Sequence, residues 1–175
     1  MQAILIGFMG SGKTTVGQLL ATELGTHHAD LDDMIVQRAG KTISTIFEER
    51  GEAYFRQLEQ QTLRDAIAQP GILSTGGGTP TIAANAAILK ASPVPVICLT
   101  ASDQTILGRV AQDTGRPLVD ELGSQGLMAL KQKRAALYRA AADVLVATDN
   151  LTPEQIVAEI KTRILRPVHR LAANG

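Results

Sequence analysis

Gly7-Phe-Met-Gly-Ser-Gly-Lys-Thr14 is the stretch on which the fold turns. It satisfies G-x-x-x-x-G-K-[ST] in full. It directly follows Ala3-Ile-Leu-Ile6, a continuous apolar run suited to a central strand of a parallel sheet. A helix is expected from about Lys13, with Val16, Leu19, Leu20 and Leu24 at helical spacing and Gly25 where a terminating glycine belongs. Glycines at a strand-to-helix turn let backbone N–H groups converge without Cβ obstruction, and the helix N-terminus adds its positive end. Such a segment is built to hold a chain of phosphates. Lys13 is expected to reach the β- and γ-phosphates and Thr14 to offer its hydroxyl to Mg²⁺, with Gly10, Ser11, Gly12 and Thr15 completing the cradle for a nucleoside triphosphate. The base is not specified: no Asn-Lys-x-Asp element for guanine occurs.

Working outward, strands and helices alternate. His28–Asp30 reads as a short second strand. Helices are expected over Met34–Ala39, Thr42–Gly51 and Glu52–Gln69, the last with an apolar stripe of Phe55, Leu58, Leu63, Ala66 and Ile67. Ile72–Ser74 is a third strand, running into Thr75-Gly-Gly-Gly-Thr-Pro80. A helix over Ile82–Lys90 precedes a fourth strand, Val94–Leu99, with Pro95 near its start. Ser102 and Asp103 open a further helix, residues 112–126 read as a loop, and Leu127–Ala142 is helical. Val144–Val146 is a fifth strand, and a last helix opens at Thr152-Pro153 and stops at Pro167. The pattern predicts one α/β domain over residues 1–175, a mostly parallel sheet with helices against it, and a loose tail over 168–175. The glycine-rich segments after the first and third strands are expected to meet at the carboxyl edge, where ligands bind in such sheets.

Composition narrows the partners. The chain has 175 residues, with 17 Lys plus Arg against 17 Asp plus Glu. A net charge of zero argues against a general nucleic-acid binder, and five aromatics without Trp argue against a base-stacking platform. One cysteine, Cys98, excludes an internal disulfide framework. No apolar run has the length of a membrane span, and the apolar start lacks a basic leader, so a cytoplasmic protein is expected. The neutral sum hides an asymmetry: residues 1–88 carry six basic and nine acidic side chains, residues 89–175 eleven and eight.

The acceptor-side candidates are each double-edged. Asp30 and Asp32, two apart on an extended segment, would point the same way, one organising Mg²⁺ and one taking a proton; they equally suit a helix N-cap and its acidic first turn. Arg56 suits a ligand clamp or a surface ion pair. Gly76, Gly77 and Gly78 permit close backbone approach or mark a strained turn. Arg116, in Arg-Pro-Leu after Arg109, suits a basic lid or a solvated loop. Arg134, one turn before Tyr138, suits a clamp or a surface charge.

Together these pieces resemble the shikimate kinase family. The matching residues run in order: Gly7–Thr14, Asp30-x-Asp32-x-x-Ile35, Gly51-Glu-x-x-Phe55-Arg56, Gly76-Gly-Gly78, Arg116-Pro-Leu118, and Arg134 with Tyr138. The resemblance covers the chain apart from its tail. It implies a three-layer P-loop kinase fold with a substrate-binding region at about 32–60 and a lid at about 112–123. It implies transfer of the ATP γ-phosphoryl to the 3-hydroxyl of shikimate, on the route to chorismate and the aromatic amino acids, by a monomer using Mg²⁺. It also implies roles. Asp32 would lie nearest the attacking hydroxyl and Asp30 would support Mg²⁺ through water. Arg56 and Arg134 would grip the carboxylate, and Gly76–Gly78 would contact a hydroxyl. Lys13 and Arg116 would stabilise the moving phosphoryl, while Arg109 and the stretch near Pro153 would flank adenine. The chain departs from the family at His27-His28, where an apolar residue such as Phe is frequent, at Thr14 for the frequent Ser, and at Thr45 for a common acidic residue. A gluconate-kinase-like sugar-acid kinase and a non-catalytic, ATP-gated binding protein are the alternatives.

Overall fold

The computed structural model describes residues 1–111 and 117–165. Five parallel strands lie in the order β2-β3-β1-β4-β5: β1 Ala3–Gly7, β2 His28–Asp30, β3 Ile72–Ser74, β4 Val96–Thr100 and β5 Val144–Ala147. Helices α1 Lys13–Glu23, α2 Leu31–Ala39, α3 Ile43–Ile67, α4 Ala83–Lys90, α5 Asp103–Ala111, α6 Pro117–Ala141 and α7 Pro153–Leu165 connect them. The strand residues explain the layering. Ile4 and Ile6 of β1 pack with Phe8, Phe55, Leu63 and Tyr138 on one face, while Ala3 and Leu5 pack with Val16, Leu20, Val157 and Ile160 on the other. Each of β1's first four residues is fully buried, which is why they read as an unbroken apolar run and not an alternating one.

The strand order positions the site. β1 and β3 are neighbours in register, with Leu5 opposite Ser74, and Thr75 N donates to the Leu5 carbonyl at 3.1 Å. The two glycine-rich segments therefore leave the sheet side by side, as expected.

Several elements differ from the reading of the sequence, each for a local reason. α2 starts at Leu31, three residues early, because Asp30 caps it: its Oδ1 accepts from Asp32 N at 2.9 Å, and Asp32 and Asp33 fill the first turn. The two helices expected on either side of Gly51 are present, numbered together as α3 and separated by a kink where Gly51 takes φ +76° and ψ 173°. Thr42 caps that helix by accepting from Thr45 N, as its hydroxyl suggested. β4 begins after Pro95, at Val96. Residues 117–126 are helical where a loop was expected. Pro117 occupies the first turn of α6, where a missing N–H costs little, and Gly123 is absorbed as a kink. Arg116, residues 112–116 of the expected lid, Pro167 and the tail lie outside the described residues.

Candidate active site

At the carboxyl edge lies a cavity of about 840 Å³. Its floor is the loop between β1 and α1. Gly12 is the N-cap of α1 at φ +96°, a left-handed conformation that costs glycine little and that turns the chain so that α1 opens toward the cavity. Lys13 Nζ reaches back over the loop and donates to the Gly7 and Phe8 carbonyls, both at 3.0 Å. Gly10, Gly12, Lys13, Thr14 and Thr15 line the cavity, with Thr14 and Thr15 exposed to it. Ser11 does not. It is buried under the loop, and its Oγ finds no hydrogen-bond partner among the described residues.

Arg109 of α5 crosses onto this floor. Its guanidinium donates to the Gly10 carbonyl at 3.1 Å and to Thr148 Oγ1 at 3.1 Å, so it pins the phosphate loop to the segment after β5. The same segment is tied to the start of α5: the Asp149 carboxylate accepts from Ser102 N at 2.9 Å and from Thr105 Oγ1 at 2.6 Å. Pro153 opens α7 and is not on the cavity wall.

The opposite wall is assembled from four elements, β2, α2, α3 and α6, and the loop after β3. Asp30 ends β2, Asp32 starts α2, Arg56 stands on α3, Gly76–Gly78 follow β3, and Arg134 stands on α6; all line the cavity. Asp30 is at once the cap of α2 and a cavity residue, so both sequence readings hold. Asp32 packs against the glycine loop so closely that a Cβ on Gly76 would meet its Oδ1 at 2.8 Å. Burial pushes the Asp32 carboxyl up to about 6, helped by the charges of Asp30 and Glu59 and opposed by Lys13.

Glu59 is the residue the sequence did not disclose. Only 1% exposed, it accepts from Arg56 Nη1 at 2.9 Å, Thr79 Oγ1 at 2.8 Å and Asn85 Nδ2 at 3.0 Å. Glu52 takes the Arg56 Nε at 3.3 Å. Arg56 is therefore an ion-paired residue and a cavity residue together, its guanidinium held over the Phe55 ring at 5.1 Å. The available signal was spacing: Phe55, Glu59, Thr62, Leu63 and Ala66 form the buried face of α3, and a carboxylate on such a face must be paired.

His28 has a partner too. Ser74 Oγ donates to the Lys13 main-chain carbonyl at 3.2 Å, so the 2.8 Å contact from His28 Nε2 must carry its proton to Ser74 Oγ. The ring lies over Gly17, where a Cβ would come within 2.6 Å of His28 Cδ2. Burial lowers the His28 pKa, against the charges of Asp30 and Asp33, and the neutral ring with its proton on Nε2 fits this network.

The donor set suits Mg²⁺ held with a nucleotide. Thr14 and Asp30 supply a hydroxyl and a carboxylate to one cavity, and among the described residues no cluster of three or more His, Cys, Asp or Glu forms a self-sufficient metal cage. One or two protein oxygens completed by phosphates and water is the coordination Mg²⁺ accepts.

A phosphate loop at the carboxyl edge of a five-stranded parallel sheet, facing a wall of paired guanidinium and carboxyl groups, defines a P-loop kinase for a small acceptor. The family model for shikimate kinase matches residues 9–165. A shikimate kinase of Limosilactobacillus fermentum is 43% identical over 157 residues, covering 89% of this chain and 91% of its own. One of Enterococcus faecalis is 41% identical over 159 residues, covering 90% and 94%. Among solved structures, the shikimate kinase of Acinetobacter baumannii in complex with shikimate superimposes with a TM-score of 0.84 at 36% identity, covering 93% of this chain and 92% of that one. That of Aquifex aeolicus gives 0.76 at 34%, covering 94% and 96%. The chain belongs to the shikimate kinase family. It is an ATP- and Mg²⁺-dependent phosphotransferase, and its function is the family's, phosphorylation of shikimate in aromatic amino acid biosynthesis. Among the described residues no helix is long and apolar enough to cross a membrane.

Proposed function

We propose that the chain moves the γ-phosphoryl of ATP to the 3-hydroxyl of shikimate by dividing the cavity into two halves. On the floor, Gly10–Thr15 cradle the phosphates, Lys13 turns from the loop carbonyls toward the γ-phosphoryl, and Arg109 flanks the adenine. Thr14 and Asp30 would hold Mg²⁺, Asp30 through water, and the ion would supply positive charge against the phosphates. On the opposite wall, Arg56 and Arg134 clamp the carboxylate of shikimate, the geometry guanidinium groups favour, while the Gly76–Gly78 backbone meets a hydroxyl. Asp32 aligns the 3-hydroxyl. As that oxygen bonds to phosphorus and the bond to the ADP oxygen breaks, the hydroxyl proton passes to Asp32. A carboxylate raised to about 6 is a better proton acceptor than an ordinary one and still ionised near neutrality.

The observation that carries this division is the meeting of Lys13, Asp32, Arg56 and Arg134 on one cavity from four separate elements. The family resemblance adds Arg116 as a second cation on the transferring group and residues 112–123 as a lid that excludes water, with 32–60 as the acceptor-binding region. We also take the working form to be a cytoplasmic monomer. The cleft draws its residues from one chain, and a buried lone thiol suits a reducing compartment. Light scattering after size exclusion tests the monomer. Coupled ADP release measured with shikimate, quinate and gluconate tests the acceptor. Turnover confined to shikimate is expected, and faster turnover with gluconate would replace this reading with a sugar-acid kinase.

A further inference from the structure

A run of three glycines has no side chains to fix its peptide planes, so whatever its carbonyls bind decides where its N–H groups point. In this chain the Gly77 carbonyl is taken by Tyr138, whose Oη donates to it at 2.6 Å across 61 residues of sequence. Tyr138 is 5% exposed, and its hydroxyl must find an acceptor inside the protein. The peptide unit is planar and trans, so the C=O of Gly77 and the N–H of Gly78 point opposite ways. Holding the carbonyl toward α6 therefore turns the Gly78 N–H away from α6, and a Cβ on Gly78 would stand 3.5 Å from both terminal nitrogens of Arg56. Tyr138 and Arg134 are one turn apart on the same face of α6. The Arg134 guanidinium lies close enough that its charge counters part of the burial that pushes the phenol up to about 12. One face of α6 thus carries both the hydroxyl that holds the glycine loop and the second guanidinium of the acceptor wall.

We propose that Tyr138 is a positioning residue for the acceptor: it sets the Gly77–Gly78 peptide and the Arg134 side chain in one register, so that amide and guanidinium meet the small acid together. The inference rests on the acceptor assignment above and concerns no contact with ATP.

Tyr138→Phe keeps the buried ring and removes only the hydroxyl. The KM for shikimate is expected to rise about tenfold, with the KM for ATP and kcat within about twofold of wild type. The shikimate-induced rise in Tm should shrink, while the ATP-induced rise is retained. Incorporating 4-aminophenylalanine at position 138 restores a donor and should return the shikimate KM to within about threefold of wild type. An unchanged shikimate KM overturns the proposal. So does a parallel rise of both KM values with a falling Tm, the mark of a merely structural tyrosine, or a failure of the amino variant to rescue. Wild-type protein that turns over another acid but not shikimate would instead bring down the acceptor assignment itself, and this inference with it.

Discussion

The two walls of the cavity are built on opposite principles. The phosphate side, on the proposed assignment, is eight consecutive residues whose backbone would do the binding, shaped by glycine at φ +96° and the first turn of α1. The acceptor side is made of side chains delivered singly by α2, α3 and α6 beside the glycine loop, and two of its parts are held from behind: Arg56 by Glu59, and the glycine loop by Tyr138. Backbone geometry is set by neighbours in sequence, so that site tolerates much change around it. A wall of separate side chains depends on buried charges being paired, and it concentrates the perturbed acid, Asp32, and the buried carboxylate, Glu59. The phosphate side should therefore fail by losing charge, and the acceptor side by losing alignment.

Lys13→Ala is the sharpest way to test the first half of that contrast. Removing the one lysine that spans the loop should lower kcat by about 10³-fold or more, since a donor aimed at developing charge in a closed site is worth several kcal/mol. Circular dichroism should stay close to wild type, while the shikimate KM should shift by no more than about threefold, since the Lys13 charge also reaches Asp32 on the acceptor side. A variant retaining a tenth of wild-type turnover would show that the loop backbone alone carries the phosphoryl.

Asp32→Asn should also remove turnover, by about 10²- to 10⁴-fold for loss of a general base, but with the opposite sign for stability. The folded carboxyl titrates at about 6 and the unfolded one at 3.8. The folded state then binds more protons between those values, so this group's contribution falls as pH rises through them and remains unfavourable above about 6. Asn cannot ionise. The ligand-free variant should gain up to about 3 kcal/mol over wild type at pH 8, with the gain vanishing below about pH 4. Urea unfolding at the two pH values measures it. A variant less stable than wild type at pH 8 would mean that Lys13 outweighs burial at Asp32.

What could be read beforehand follows the same divide. The phosphate loop, β1, α1 and the meeting of the glycine segments followed from contiguous residues and strand order. Boundaries slipped where a side chain set them: Asp30 started α2 early by capping it, and Pro117 started a helix inside what read as a loop because its position in the first turn was invisible without the fold. Glu59 was missed because a glutamate on a helix rich in Glu, Gln and Arg looks solvated until Thr79 and Asn85 arrive from after β3. His28 looked like a polar intruder at an apolar position until Ser74, 46 residues away, supplied its partner.

Glu59→Gln tests whether alignment depends on that hidden carboxylate. Three donors converge on its two oxygens; an amide keeps Arg56 and Asn85 only by turning its N–H₂ to Thr79, whose hydroxyl must then accept, and it removes the charge that pairs the Arg56 guanidinium. Stability should fall by about 2–4 kcal/mol, and the shikimate KM should rise about tenfold as Arg56 loosens, with the ATP KM little changed. Equal rises in both KM values would mean that Glu59 supports the whole cleft and not one wall.

Asp149→Asn is the mildest probe and the only one aimed at the support of the phosphate side. Hydrogen bonds from Thr105 and Ser102 hold the Asp149 carboxyl down at about 2, below its ordinary 3.8. A depressed carboxyl stabilises the fold above its unfolded value and loses that contribution as pH falls through its folded one. The group is partly exposed, so solvent screens the effect, and Asn keeps one acceptor for Ser102 N. The Tm should drop by only about 1–3 °C at pH 7, and the difference from wild type should close as pH falls from about 4 toward 2. Because α5 carries Arg109 onto Gly10, the ATP KM should rise by no more than about threefold while the shikimate KM stays put. A larger effect on shikimate than on ATP would show that the two walls are mechanically one.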